Sequence, residues 1–227
     1  MTSQSSLRIA RENSTLRQQV VEQLRNAVLG GVFAPGQKLV ERDLCEQLGI
    51  SRTVLREALQ HLGAEGLITN IPHKGPTVAS ITRKEAEDIY EVRAALEGLA
   101  GRGFALHASA GQVQALKCVL AELEALQQAP SGNALIEAKN AFYRLLAEGA
   151  GNHVIASMLT LLNNRITLLR RLSLSETGRL PATLAELRAI VEAIEQRQPD
   201  LTQQLCQQHV RTAAQAALRH LPEQGPG

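Results

Sequence analysis

The run from Glu41 to Leu59, Glu-Arg-Asp-Leu-Cys-Glu-Gln-Leu-Gly-Ile-Ser-Arg-Thr-Val-Leu-Arg-Glu-Ala-Leu, constrains the fold more than any other stretch of this 227-residue chain. Its apolar spacing fits two short helices and leaves only Gly49-Ile50-Ser51 between them. Leu44, Cys45 and Leu48 fall on the inner face of the first helix, and Leu55, Ala58, Leu59 and Leu62 on that of the second. A small residue at 45 lets the helices approach, a glycine four positions later permits the tight turn, and Leu55 plugs the gap, which is the spacing of a helix-turn-helix. Directly after Gly66, Leu67-Ile-Thr-Asn-Ile-Pro-His-Lys-Gly-Pro-Thr-Val-Ala79 sets β-branched residues on both sides of a Pro/His/Lys/Gly turn and predicts a β-hairpin. Two helices followed at once by a hairpin make a winged helix, a far more specific pattern than either half.

The remainder reads as helix. Apolar periodicity predicts segments near 82–108, 110–127, 133–149, 153–174, 181–197 and 200–220, with breaks at Ala129-Pro130-Ser131-Gly132, Gly149-Ala150-Gly151-Asn152, Ser175 to Pro181, and Gln198-Pro199-Asp200. Upstream of the helix-turn-helix, residues 1–13 read as a disordered arm. Thr15 and Gln18 suit a capping box for a helix with the stripe Leu16, Val20, Leu24 and Val28, ended by Gly30-Gly31. The predicted fold class is mostly α: a winged helix-turn-helix with a short β-hairpin over 1–79, and an all-α helical bundle over 80–227, the boundary falling before a Thr82 cap. Gly101-Arg102-Gly103 inside the first bundle helix predicts a kink or close packing, since each glycine costs about 1 kcal/mol there against Ala. The Leu-rich segments 153–174 and 200–220 read as core or dimer-contact surface.

Aromatics are 2% of residues with no Trp, so Leu, Ala, Val and Ile must build the core. The formal charge of +2 resides wholly in residues 1–79, with nine Lys/Arg against seven Asp/Glu. Nucleic-acid contact, if present, falls there through a few placed residues. Cys45, Cys118 and Cys206 lack ligand spacing and read as small core residues of a reduced, cytoplasmic protein. No signal peptide or membrane-length apolar run is visible.

These residues resemble the GntR family of bacterial regulators, specifically its FadR subgroup, whose second half is an FCD-type effector domain. The resemblance rests on Phe33-Ala-Pro-Gly-Gln-Lys-Leu39, Gly49 to Leu59 and the wing Pro72-His-Lys-Gly75. In the second half it rests on Tyr90-Glu-Val-Arg-Ala-Ala-Leu-Glu97, Phe142, Gly151-Asn152 and the stretch through His209. It implies a ligand-responsive transcriptional regulator, by default a repressor, bound as a homodimer to a palindromic operator and released by a small-molecule effector. On such a reader Ser51 caps the recognition helix, and Arg52, Thr53 and Arg56 lie on its exposed first turns facing base edges and phosphates. Arg42 matches a DNA-touching position of the family, and His73, Lys74 and Gly75 form a wing tip suited to the minor groove. The alternative for Arg52 and Arg56 is solvated arginines paired with Glu57 or Glu46.

Many relatives hold a divalent metal through one Asp and three His. Aligned on Phe142 and Asn152, those positions here carry Lys139, Tyr143 and Leu187, and only His209 remains. No metal and no other cofactor is expected. A carboxylate effector would instead meet Lys139 with Arg93 and Arg165, oriented by Tyr143 and His209. Against this stand a Lys139 that is exposed or bonded to a Glu, an Arg93 paired structurally with Glu97, Tyr143 and His209 as satisfied core residues, and a larger apolar ligand. No nucleophile–base frame, zinc-protease motif or phosphate loop appears, so the expected class is not an enzyme. The remaining rival is a helical protein-interaction module without operator binding.

Overall fold

The structure, a computed structural model, describes residues 16–127 and 132–223. The expected N-terminal arm, the Thr15 cap and the break at 129–131 lie outside the described residues. The chain divides into two compact units, residues 1–79 and 80–227.

In the first unit, α1 (Leu16–Leu29) buries Val20, Val21, Leu24 and Val28 and packs against α3 (Arg52–Ala64). Leu16 is a correction to the expected stripe. It is 54% exposed, one turn too early to reach the facing helix. The helix-turn-helix is α2 (Glu41–Leu48) and α3 (Arg52–Ala64). Gly49 closes α2 at φ +63, a left-handed conformation that a side chain would strain, with its N–H donating to the Cys45 carbonyl. The Ser51 hydroxyl accepts from Val54 N–H at 3.4 Å and starts α3. Leu55, Ala58, Leu59 and Leu62 are buried as their spacing predicts. Cys45 and Leu48 are only half-buried, because an eight-residue helix on a small unit closes its inner face around Leu44 alone. The wing is β1 (Ile68–Ile71) antiparallel to β2 (Gly75–Val78), in register from Ile68↔Val78 to Ile71↔Gly75. Residues 36–39 flank the other edge of β2: Lys38 bridges Thr77, Leu39 N–H donates to Pro76, and Val78 N–H to Gln37. Local propensity at Pro35-Gly36 predicts only a turn here, so this third edge is not visible in the sequence.

The second unit holds α4 (Arg83–His107), α5 (Ala110–Leu126), α6 (Gly132–Glu148), α7 (His153–Ser175), α8 (Arg179–Glu195) and α9 (Pro199–Leu218). Caps set these bounds: Thr82 on α4, a full Ser109/Gln112 capping box on α5, Asn152 on α7 and Pro199 at the first position of α9. Helix α8 begins two residues before the predicted 181, since Pro181 in a first turn loses no hydrogen bond. One core gathers Phe104, Leu116, Leu123, Phe142, Leu146, Leu187 and Ile194. A second, smaller one gathers Ile89, Tyr90, Ile166, Leu169 and Val210. Of the cysteines only Cys206 is core. Cys118 is exposed and Cys45 half-buried, a correction to their reading as a buried set.

Close packing explains the glycines of α4. A Cβ on Gly98 would lie 2.7 Å from Gln207 Cγ, and one on Gly101 2.5 Å from Cys206 Sγ, so α9 approaches α4 over bare backbone. A Cβ on Gly103 would fall 2.2 Å from the Ala150 carbonyl oxygen, and backbone cannot swing aside. Gly103→Ala should therefore destabilise the second unit by about 1–3 kcal/mol or more. Thermal unfolding is the check, and an unchanged midpoint would contradict this contact.

Candidate functional site

Two places concentrate polar chemistry, one in each unit. In the first, α3 projects Arg52, Thr53 and Arg56 outward, all exposed. Arg52 and Arg56 are one turn apart and share a face. Arg52 has no ion-pair partner among the described residues, whereas Arg56 pairs with Glu41 at 3.0 Å and stays 67% exposed. The expected rivals Glu57 and Glu46 do not take it. Arg42 leans on Asp43 at 3.1 Å, itself 79% exposed. Such pairs are worth at most about 1 kcal/mol and exchange readily for phosphate.

The wing tip is a turn from Ile71 to Lys74, closed by Lys74 N–H donating to the Ile71 carbonyl at 3.1 Å. Pro72 occupies its second position and His73, at φ +62, the third, the arrangement of a type II turn. His73 and Lys74 are exposed, Lys74 Nζ lies 3.4 Å from the Gly36 carbonyl, and Gly75 follows at φ +86. Between α3 and the wing runs a groove of 690 Å³ lined by Glu41, Arg56, Gln60, Asn70 and Gly75. Every residue expected to read DNA except Ser51, which caps, and the half-buried Gly75 thus presents an exposed polar end on the recognition helix, the helix before it or the hairpin.

In the second unit the structure brings Arg93, Lys139, Tyr143 and His209 together inside the helices, each no more than 6% exposed. Arg93 Nε donates to Glu97 Oε1 at 2.8 Å, the pairing expected from their one-turn spacing, yet Arg93 Nη1 has no partner. Lys139 is 1% exposed, neither at the surface nor bonded to a Glu; its Nζ lies 6.0 Å from the Tyr143 ring centre. Burial, then Arg170, Arg179 and Arg93, push its ammonium well below the usual lysine range. Tyr143 hydroxyl and His209 Nε2 share a short hydrogen bond, and His209 Nδ1 meets Glu186 at 2.5 Å. Arg165 is the exception. It sits 43% exposed on an ion pair with Glu85 at 2.6 Å, away from the cluster.

Sequence reasoning missed four members. Arg170 stacks on the Tyr143 ring at 4.1 Å and donates to Asn140 at 2.5 Å. Arg179 forks onto Glu186 at 2.8 and 2.7 Å. A legible signal existed for Arg170, which follows Ile166 by four and Leu169 by one on the buried stripe of α7. Arg179 lay in a stretch read as a break. Burial and Arg93 bring the Arg170 guanidinium down to about 10, while Arg93 and Arg170 overcome burial to hold Glu97 below its ordinary value. Beside the cluster opens a cavity of 200 Å³ whose lining includes Glu97, Asn140, Tyr143, Thr160, Asn163 and Arg170.

The residues at the family's metal positions do not fit a divalent cation. Both nitrogens of His209 are engaged, by Glu186 and Tyr143, Leu187 offers no donor, and the guanidiniums of Arg93, Arg170 and Arg179 would repel the ion. The same network carries a pH dependence. Burial, opposed by Glu186, brings His209 down to about 4, and His209 and Arg179 outweigh burial to bring Glu186 down to about 2. Both groups bind protons more readily when unfolded, so each costs stability as pH falls, His209 from its ordinary 6.5 through 4 and Glu186 from 4.5 through 2. The urea midpoint should decline steadily from pH 7 to 4; a flat profile between 7 and 5 would place a charged His209 in the fold.

Residues 16–78 match the family described as bacterial regulatory proteins, gntR family, and residues 88–212 match the FCD domain. The chain is 27% identical over 208 residues to the HTH-type transcriptional regulator YdhC of Bacillus subtilis, covering 91% of this chain and 92% of that one. It is also 27% identical over 202 residues to a Paenarthrobacter nicotinovorans protein named as a D-xylose utilization operon transcriptional repressor, covering 87% and 86%. In fold it is similar to a GntR transcriptional regulator of Rhodococcus sp. RHA1, with TM-score 0.78 at 21% identity over 91% of this chain and 99% of the other. With a winged helix-turn-helix in one unit and a polar cavity among the helices of the other, this chain belongs to the GntR family of transcriptional regulators and carries an FCD effector-binding domain.

Proposed function

We propose that this regulator is a homodimeric repressor that binds a palindromic operator and leaves it when a small carboxylate effector enters the helical unit, without a metal. The observation that carries the effector reading is the surplus of buried cation: four basic side chains against two carboxylates, with Arg93 Nη1, Arg170 Nε and Arg179 Nε unpartnered. Buried donors without acceptors cost about 1–3 kcal/mol each, and an anion relieves several at once. Arg170 lines the cavity and is the first contact, with the Arg93 guanidinium adding positive field and Lys139 an amine within the same cluster. Arg42, Arg52, Thr53, Arg56, His73, Lys74 and Gly75 read or track the duplex, with Ser51 fixing the helix that carries them. Repression rests on the default of the family and on the named role of the Paenarthrobacter relative.

Dimerisation is supported by exposed apolar side chains where solvent should favour polar ones. Val92, Leu99 and Leu106 are 46–47% exposed and recur every seventh residue along α4, the repeat of a helix–helix seam. Val154, Met158 and Leu161, spaced four and three apart on one face at the start of α7, are 45–76% exposed. Two-fold pairing of a single reader is what makes half-sites palindromic.

A thermal-shift series with small carboxylates tests the effector reading. Acids that bind should raise the melting temperature of the wild type and raise it much less in Lys139→Met, whose apolar chain fills the same space. Equal shifts in both proteins would remove Lys139 from the site.

A further inference from the structure

The charge count of the buried cluster specifies more than an anion, and the inference below rests on the effector reading above. Glu97 is spent on Arg93 at 2.8 Å and Arg170 at 3.9 Å; Glu186 is spent on Arg179 at 2.7 Å and His209 at 2.5 Å. Three guanidiniums against two carboxylates leave one positive charge. Lys139 Nζ makes no ion pair with a carboxylate among the described residues, and Glu97 acts on it less strongly than the surrounding guanidiniums do.

The groups facing Lys139 come from every packed helix. Arg93 and Glu97 approach from α4, Arg170 from α7, Arg179 from α8, where it is held by Glu186, His209 from α9, and Tyr143 from its own helix. Helix α5 turns only apolar Leu116, Leu120 and Leu123 to the core. A guanidinium keeps its proton in such company, but a lysine amine is the group able to release one. A second uncompensated charge, buried among cations and with little water, is what that release avoids.

We propose that the cavity takes a dianion, a small molecule with two acidic groups, and that Lys139 gains a proton as it enters. A monoanion cancels the one surplus charge and leaves Lys139 an amine. A dianion brings a second charge, matched when the amine takes one proton from solvent and becomes an ammonium, so charge and protons balance. Lys139 then does switchably what a resident metal does permanently. The cavity volume of 200 Å³ holds roughly six to seven water-sized groups, which suits a three- or four-carbon diacid.

Titration calorimetry with malonate and with acetate, at pH 7 in two buffers of different ionisation enthalpy, tests this on the full chain. Malonate should bind with uptake of close to one proton per chain, acetate with close to none. Between pH 7 and 8, where malonate stays a dianion, its affinity should fall about tenfold. Lys139→Met should lose that uptake, and the wild-type pH dependence alone decides the matter if the variant does not fold. Malonate binding without proton uptake, or with equal uptake in Lys139→Met, overturns the proposal and leaves the anionic effector standing. No heat from malonate, succinate or phosphate overturns both.

Discussion

With Arg52 and Arg56 both replaced by Ala, operator binding should vanish from a gel-shift titration while the thermal melt stays in place. The duplex for that titration is one selected from random sequence by the wild-type protein. Both side chains stand exposed at the leading end of α3, held there by the Ser51 cap and by Leu55, Ala58 and Leu59 beneath. Arg56 gives up only its exposed pair with Glu41, worth at most about 1 kcal/mol. A bidentate contact to guanine is worth about 1–3 kcal/mol, so losing two removes roughly 2–6 kcal/mol, from about thirtyfold to over ten-thousandfold in affinity. Exposed substitutions of this kind move stability by no more than about 0.5 kcal/mol. A double variant that shifts the duplex like wild type would end the assignment of α3 as the reader. Earlier elution from heparin in a salt gradient should accompany the loss, since two fewer cations release fewer counterions.

Glu97→Gln should be the most damaging conservative substitution in the helical unit. Its carboxylate is the nearest counter-charge to both Arg93 and Arg170, and all three are at most 4% exposed. The amide keeps the shape and one acceptor but removes the charge. Taking one partner from a buried ion pair costs about 3–5 kcal/mol, because the cations left behind cannot reach water. That is a large part of the roughly 5–15 kcal/mol that holds a typical domain together. Urea unfolding is the measurement, and a loss under about 0.5 kcal/mol would mean that the guanidiniums are solvated. Malonate in the buffer should restore part of the deficit in Glu97→Gln, since an anion in the cavity replaces some of the missing negative charge.

The wing and the recognition helix were legible because their signals are local. Ser51 caps whatever helix follows it, Gly49 can turn where other residues strain, and β-branched residues around Pro72 to Gly75 pair with their own neighbours. The third strand edge at Lys38 was hidden, since its partner Thr77 is far along the chain and propensity at 36–39 reads only as a turn. Cys118 shows the opposite failure. Composition makes a cysteine a core residue on average, but its place on the outward face of α5 was settled by where α6 and α8 pack.

By itself the sequence determined which residues could be chemically special in the second unit: a lysine and a tyrosine where metal ligands would stand, and a histidine left without companions. Only the tertiary structure decided what they meet. It turned Arg165 outward to Glu85, drew Arg170 and Arg179 inward from α7 and α8, and set two carboxylates among three guanidiniums and a lysine amine. The physical reason is that a helix face is fixed by spacing within a few residues, whereas the charge balance of a buried site sums over five helices. That sum exists only once they are packed.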